Sequence, residues 1–209
     1  MSLTREQVVE AAMALLDEGG LRKLTLRRLA DRLGVRAPTL YWHVRDKRHL
    51  LDLIADAILV EAFLSDVTAP PEGGSPWEAL RQIAVALRRA LLAHPDGALV
   101  VAGNRPSSAS LSYIDREIGR LVHVGFNPTE ALDIQLAIGA YVMGSVIDSQ
   151  AEAARPPDPP NAEPASPDQE MLPYLAAAGY PDPQDRFDRG LDYLIAGFQA
   201  RAKNRAAAD

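Results

Sequence analysis

The chain of 209 residues contains no cysteine, and its four histidines do not have the spacing of a metal-binding motif. Without cysteine, disulfides and thiolate metal sites are excluded, and a cytoplasmic location is the expectation. No GxSxG elbow and no glycine-rich phosphate loop occurs either. These absences argue against an enzyme, and the sequence predicts no catalytic residue, no metal and no cofactor.

The sequence also lacks the unbroken apolar run of about 18 residues that a membrane-spanning helix needs. Residues 1–13 carry two acidic side chains and no apolar core, which does not fit a secretory signal. Hydrophobic residues make up 47% of the chain and charged residues 24%, the composition of a folded protein with a substantial core. We therefore expect no membrane partner.

Acidic residues are in excess overall, but the charge is unevenly distributed. The net charge of the whole chain is −6 at neutral pH. Residues 20–49 nevertheless hold nine Lys and Arg against two acidic residues, so this segment carries +7 and the rest of the chain −13. Such asymmetry indicates a basic head on an acidic body. The alternative is a chance cluster on a solvated surface.

Capping signals divide the sequence into helices, and no segment has the pattern of a strand. Thr4 and Gln7 have the spacing of a capping box, and Ser75 precedes a proline suited to the first helical position. The predicted helices span about 4–18, 25–33, 38–43, 47–63, 76–93, 108–124, 128–154, 168–178 and 183–205, with a short apolar segment at 98–102. The predicted fold class is therefore all-α.

Two of these helices have the arrangement of a helix-turn-helix, because residues 34–36 form a short glycine-containing link from residues 25–33 to residues 38–43. The short second helix cannot stand alone and must pack on its neighbours. The residues expected to face inward are Leu26, Leu29, Ala30, Leu33, Val35, Leu40 and Val44. The Tyr-Trp-His run at residues 41–43 then remains largely exposed, where such side chains suit contacts with sugar and phosphate. The alternatives for this run are a packed core patch and a protein interface.

Two segments carry a resemblance to a known family. The first, LTLRRLADRLGVRAPTLYWHVRDKRHLL, resembles the DNA-binding head of the TetR family of transcriptional regulators, and its TLYWHV run is similar to that of the tetracycline repressors. The second, LRRALLAHPDGALVVAGNRP, resembles part of the tetracycline repressor core. The resemblance implies an all-α homodimer with a helix-turn-helix DNA-binding domain at residues 1–48. An effector-binding and dimerisation domain follows at 49–209, with a proline-rich linker at 155–170.

The resemblance also implies a function. We expect a repressor that binds a palindromic operator in double-stranded DNA and is released by a small-molecule effector of unknown identity. A transcriptional activator, or a regulator that responds to a protein partner, remains an open alternative. Helices 128–154 and 183–205 carry small and apolar residues suited to a four-helix bundle with a second copy. The alternative is that both faces are buried within one subunit.

Carried over position by position, the resemblance implies a set of DNA-contacting residues. They are Thr25, Arg27, Arg28, Arg36, Ala37, Pro38, Thr39, Tyr41, Trp42, His43 and Lys47. We expect Arg27 and residues 36–39 to read bases. Thr25, residues 41–43 and Lys47 are expected to bind the sugar-phosphate backbone.

The sequence departs from the tetracycline repressors at functional positions. Ala37 stands where they carry a glutamine that can bond adenine through two hydrogen bonds, so the operator should differ. Val101 stands where a histidine ligates their magnesium–drug chelate, and Phe63 and Ile83 stand where a histidine and an asparagine grip the drug. Asp148 retains a carboxylate at a position that, in the tetracycline repressors, lies near the metal without ligating it directly. Because valine cannot ligate Mg²⁺, we expect an effector that binds without metal.

The expected effector is largely apolar or aromatic, since three polar positions of the family's pocket are apolar here. The expected ligand-binding residues are Phe63, Ile83, Leu87, Val101, Asn104, Arg105, Pro106, Ile114, Glu117, Gln135, Met143 and Asp148. For the apolar members at helical spacing, Phe63, Ile83 and Leu87, the alternative is simple core packing.

Overall fold

A computed structural model describes residues 3–64, 74–105, 107–156, 174, 177, 179 and 181–206. These residues form helices and short turns with no strand among them, and the predicted all-α fold class is confirmed. Pro106, which was expected in the ligand-binding set, lies outside the described residues. So do most of the predicted linker at 155–170 and most of the predicted helix at 168–178.

The described part of the chain contains long helices joined by short connections. They are α1 (Arg5–Asp17), α2 (Gly20–Lys23), α3 (Leu26–Leu33), α4 (Ala37–Tyr41), α5 (Lys47–Leu64), α6 (Pro76–Leu92), α7 (Gly97–Val101), α8 (Ser108–His123), α9 (Pro128–Ala153) and α10 (Pro183–Ala206). The single turn α2 was not predicted. It begins at Gly20, whose φ of 67° is readily adopted only by glycine.

Local signals set the ends of the helices in the head, which comprises α1 to α4 and the start of α5. The predicted capping box is present: Thr4 Oγ1 accepts a hydrogen bond from the Gln7 N–H at 3.3 Å, and Gln7 Oε1 accepts one from the Thr4 N–H. Thr25 caps α3 by accepting from the Arg28 N–H. Gly34 ends α3 with a φ of 65°. The Thr25 cap and Gly34 therefore set the two ends of α3, and the predicted turn at residues 34–36 leads from it into α4.

Two buried side chains hold the short helix α4 against the head. Leu40 is 1% exposed and Val44 is fully buried, and both belong to the core that α1, α3 and α5 also supply. Trp42 and His43 lie beyond the last residue of α4, because the chain closes there in a turn from the His43 N–H to the Leu40 carbonyl at 2.9 Å. Both had been predicted within the third helix.

Helix α5 belongs to the head and to the body. It packs on α1 in the head and on α6, α7 and α8 in the body. Leu50, Ile54 and Ile58 are fully buried along its length and are part of one continuous core. The helix therefore connects the two regions without a flexible link. The predicted domain division between residues 48 and 49 falls in its first turn and stays a prediction.

Helix α9 is the main element of the body. Asn127 and Glu130 form a capping box at its start, with hydrogen bonds of 3.0 and 3.2 Å. One face of α9 packs on α6, α8 and α10. Helix α10 is held to it by the fully buried Leu191 and by the Tyr141 hydroxyl, which donates to the Phe187 carbonyl at 2.9 Å.

Among the described residues, α9 is the one helix long and apolar enough to cross a membrane by length and composition alone. Its buried side chains are Ala131, Ile134, Ile138, Val142 and Val146, and they line one face within the body. The exposed apolar residues Leu132, Leu136 and Ile147 lie elsewhere on the helix. The buried face is that of a core helix, and the absence of a membrane partner stays a prediction.

Candidate DNA-binding surface and effector cavity

The aromatic run after α4 is presented to solvent, as predicted. The Trp42 side chain is 88% exposed and that of Tyr41 is 52% exposed. His43 is only half-buried. Because Leu40 and Val44 are buried on both sides of the run, the backbone that carries these rings is anchored to the head. Large exposed aromatic side chains of this kind mark an interaction surface.

Basic side chains surround the exposed rings. Five of them form no ion pair within the described part of the chain: Arg27, Arg28, Arg36, Arg45 and Lys47. By contrast, Arg32 is paired with Glu18, and Arg48 is paired with Asp52. Thr25, Ala37, Pro38 and Thr39 of the expected DNA-contacting set are also exposed. The unpaired cations therefore lie exposed at the starts of α3, α4 and α5, an arrangement suited to a phosphate backbone.

A cavity of about 410 Å³ lies in the body between α5, α6, α8 and α9 and the turn after α7. It is within the usual size range of small-molecule sites, about 300–1,000 Å³. Nine residues of the expected ligand-binding set line it: Phe63, Ile83, Leu87, Val101, Asn104, Arg105, Ile114, Gln135 and Met143. Five separate segments of the chain thus bring these side chains to one place.

Two residues of the expected set do not line this cavity. Glu117 is buried, and its carboxylate is held by Arg120 at 2.9 Å and by Arg116 at 3.3 Å. Asp148 is exposed and lies five residues after Met143 on α9, which turns it roughly 140° away around the helix. It borders a different depression beside Tyr141.

The cavity also includes residues that the sequence analysis missed. Asp56 lies two turns and Leu59 one turn before Phe63 on α5, so the helical spacing could have indicated both. Tyr113 precedes the predicted Ile114 on α8. The remaining lining residues are apolar or small: Ala55, Leu111, Leu132, Leu136, Ile138 and Gly139.

The Tyr113 side chain is clamped in the cavity wall. Its ring is stacked on Phe63, with centroids 4.0 Å apart and planes within 3°. The Arg116 guanidinium lies 4.7 Å from the ring centroid of Tyr113. The side chain is 92% buried, since only 8% of it is exposed. Burial raises the pKa of the Tyr113 hydroxyl to about 12, so the group is a neutral hydrogen-bond donor at neutral pH.

Polar contacts tie α5 to the segment between α7 and α8. Asp56 Oδ1 accepts hydrogen bonds from the Ser107 N–H at 3.2 Å and from the Ser110 hydroxyl at 2.7 Å. The Arg48 guanidinium donates to the Gly103 carbonyl. A ligand that displaces the Gly103–Arg105 turn would therefore act directly on the helix that carries the head.

Comparisons with known proteins identify the family. Residues 8–54 match the family described as "Bacterial regulatory proteins, tetR family", and residues 69–202 match the "Tetracyclin repressor-like, C-terminal domain". The chain belongs to the TetR family. TetR-family regulators are cytoplasmic DNA-binding proteins that respond to small-molecule ligands and act as dimers. This TetR-family protein is accordingly a DNA-binding transcriptional regulator and not an enzyme.

Several TetR-family relatives are similar over nearly the whole chain. The tetracycline repressor protein class D of Escherichia coli is 37% identical over 203 residues, covering 95% of this chain and 90% of that protein. A TetR variant from Acinetobacter baumannii AYE in complex with minocycline is 36% identical, with a TM-score of 0.76 and coverage of 95% and 94%. TetR(class A) in complex with 5a,6-anhydrotetracycline and magnesium is 31% identical, with a TM-score of 0.72 and coverage of 95% and 99%.

Proposed function

We propose that this protein is a dimeric repressor that leaves its operator when an effector binds in the 410 Å³ cavity. The proposed effector is largely apolar and binds without metal. The observation that carries the proposal is the composition of that cavity. Phe63, Ile83 and Val101 contribute apolar surface to its wall. An apolar lining with a few polar groups is typical of sites for apolar or aromatic ligands.

The donor set of the cavity does not fit a chelated magnesium ion. Mg²⁺ usually keeps several waters and takes only one or two protein ligands, and Val101, which occupies the position of the family's metal-ligating histidine, has no donor atom to offer from the wall. The one carboxylate in the wall, that of Asp56, already accepts two hydrogen bonds through the same oxygen. These side chains support an effector that binds without metal, in contrast to TetR(class A), whose structure is a complex with 5a,6-anhydrotetracycline and magnesium.

The exposed surface of the head supports operator binding. In the proposed complex, Arg27 and residues 36–39 face base edges in the major groove, and Lys47 contacts a phosphate. The free ammonium of Lys47 at the start of α5 suits this role, because the helix N-terminus adds to the attraction for an anion.

Exposed apolar side chains on α9 and α10 support the dimer. On α10, Tyr193 is 75% exposed. On α9, Leu136 is 62% exposed and Leu132 and Ile147 are each 40% exposed; Leu132 and Leu136 also line the cavity. Burying these side chains against a second copy would remove them from water. The resulting two-fold symmetry favours a palindromic operator with half-sites separated by about one helical turn.

An operator-release titration tests the proposed effector chemistry. An operator would be selected from random duplex DNA, and its binding measured by fluorescence anisotropy in the presence of Mg²⁺–tetracycline. The expected result is no release at micromolar drug, whereas the class D repressor on its own operator would be released in the parallel control. Release of this protein at micromolar drug, abolished by EDTA, would overturn the metal-free mode.

A further inference from the structure

Two buried polar atoms in the cavity have no hydrogen-bond partner among the described residues. They are Asn104 Oδ1 and the Tyr113 hydroxyl, whose O–H has no acceptor although the Arg116 guanidinium lies close to its oxygen. An unpaired buried donor or acceptor is costly, and buried polar groups in folded proteins are nearly always paired. Both groups lie in a wall that is otherwise mostly apolar. A bound molecule that pairs with both atoms would remove this cost.

The Tyr113 hydroxyl is held in position before any ligand binds. Phe63 stacks on one face of the ring at 4.0 Å, so the Arg116 guanidinium covers the other face. Glu117 fixes Arg116 through a contact of 3.3 Å. The ring therefore has little freedom to turn its hydroxyl towards another partner. Glu117 acts here as a positioning residue, which explains why it is buried beside the cavity without lining it.

The charges in the wall favour an uncharged ligand. Only Asp56 and Arg105 among the lining residues are ionisable at neutral pH, and their charges are opposite in sign. Asp56 is satisfied by Ser107 and Ser110. Arg105 is exposed, so its guanidinium remains hydrated. A buried ligand charge would thus lack a dedicated partner.

We propose that Tyr113 and Asn104 form the polar recognition site for a neutral hydroxylated aromatic effector, and this inference rests on the proposed function. A hydroxyl group both donates and accepts, so it can pair with an amide oxygen and with a tyrosine hydroxyl. The aromatic body of the ligand would lie against apolar side chains and the edge of the Phe63–Tyr113 pair. The cavity of about 410 Å³ has room for two or three fused rings.

Three matched probes test the inference: naphthalene, 2-naphthol and 2-naphthoate, titrated into the full-length protein by isothermal calorimetry. We expect 2-naphthol to bind about tenfold more tightly than naphthalene, the effect of one good buried hydrogen bond. We expect 2-naphthoate to bind more weakly than 2-naphthol. Tyr113→Phe, which keeps the ring stacking, should reduce the preference for 2-naphthol about tenfold without weakening naphthalene binding.

Two further variants complete the test. Asn104→Ala, at a partly exposed position, should also reduce the preference for 2-naphthol. Tyr174→Phe removes a hydroxyl from an exposed tyrosine outside the cavity and should change neither affinity. Naphthalene binding with no gain for 2-naphthol, or tighter binding of 2-naphthoate, would overturn this inference and leave the proposed function standing. Binding of neither neutral probe would overturn the apolar cavity site and, with it, the proposed function.

Discussion

The Asp96 carboxylate accepts a hydrogen bond from the Leu21 N–H at 2.8 Å and thereby joins the start of α7 to α2 in the head. A second contact lies next to it, between His94 Nδ1 and Asp17 Oδ1 at 2.6 Å. The His94 carbonyl in turn accepts from the Gln150 side chain on α9, at 2.9 Å. The body therefore holds the head at two places, through α5 and through this turn.

The close approach of Asp96 makes Gly20 irreplaceable. A Cβ atom at Gly20 would overlap the Asp96 carboxylate, and the backbone there has a φ of 67°. We expect Gly20→Ala to lower the free energy of unfolding by more than the roughly 1–2 kcal/mol that a left-handed conformation costs a non-glycine residue. Urea denaturation followed by circular dichroism measures the change.

Gly34 provides the matched control for Gly20. It has nearly the same φ, 65°, but open space around a Cβ atom. Gly34→Ala should therefore show the backbone cost alone. Equal destabilisation by Gly20→Ala and Gly34→Ala would contradict the contact between α2 and the turn before α7.

Local sequence signals predicted the helices of this fold well. The capping box at Thr4, the capping box at Asn127 and the glycine at residue 34 are each decided by residues a few positions apart. The contact between Gly20 and Asp96 is different, because it joins segments 76 residues apart along the chain. Helical periodicity carries no information about such a pair, so the sequence could not indicate the contact that Gly20 makes.

Lys47 is expected to contribute to operator binding through charge alone. Lys47→Ala should weaken binding to all duplex sequences and reduce the slope of log K against log salt concentration by about 1 per subunit. Binding isotherms at several salt concentrations measure this slope. Arg89→Ala removes the same charge from an exposed site on α6, outside the proposed DNA and dimer surfaces, and should leave the slope unchanged. An unaltered slope for Lys47→Ala would argue against a phosphate contact.

Trp42 and Leu40 should separate binding from stability. Trp42→Ala removes an 88% exposed side chain, so the free energy of unfolding should stay within about 0.5 kcal/mol. Operator affinity should nevertheless fall roughly tenfold, the effect of one lost contact with the DNA backbone. Leu40→Ala removes a buried side chain and should cost about 2–5 kcal/mol of stability. Unchanged operator affinity for Trp42→Ala would remove the aromatic run from the DNA interface.

Only part of the candidate site could be predicted from the sequence, and the reason differs from residue to residue. Phe63, Ile83 and Val101 were assigned by resemblance, and the structure brings all three to one cavity. No sequence signal indicated Tyr113, because its place in the cavity wall depends on stacking against Phe63, which lies 50 residues earlier in the chain. Asp148 was assigned by the same resemblance as Val101, yet the turn of α9 directs it elsewhere within a single subunit.

The buried hydroxyl of Tyr113 predicts a loss of stability at alkaline pH. Burial raises its pKa in the folded protein from 10.0 to about 12, so the folded state retains the proton more strongly than the unfolded state. The stabilisation is fully present below pH 10 and is lost as the pH rises towards about 12, by at most about 3 kcal/mol.

Tyr113→Phe should therefore lose less stability over this interval than the wild type. Denaturant titrations at pH 9 and at higher pH values up to the folded pKa measure the difference. Tyr174→Phe is the control and should follow the wild type, because its ring is exposed. Parallel pH profiles for Tyr113→Phe and the wild type would mean that the hydroxyl is not buried in the folded protein, and would also remove the basis for its role in ligand recognition.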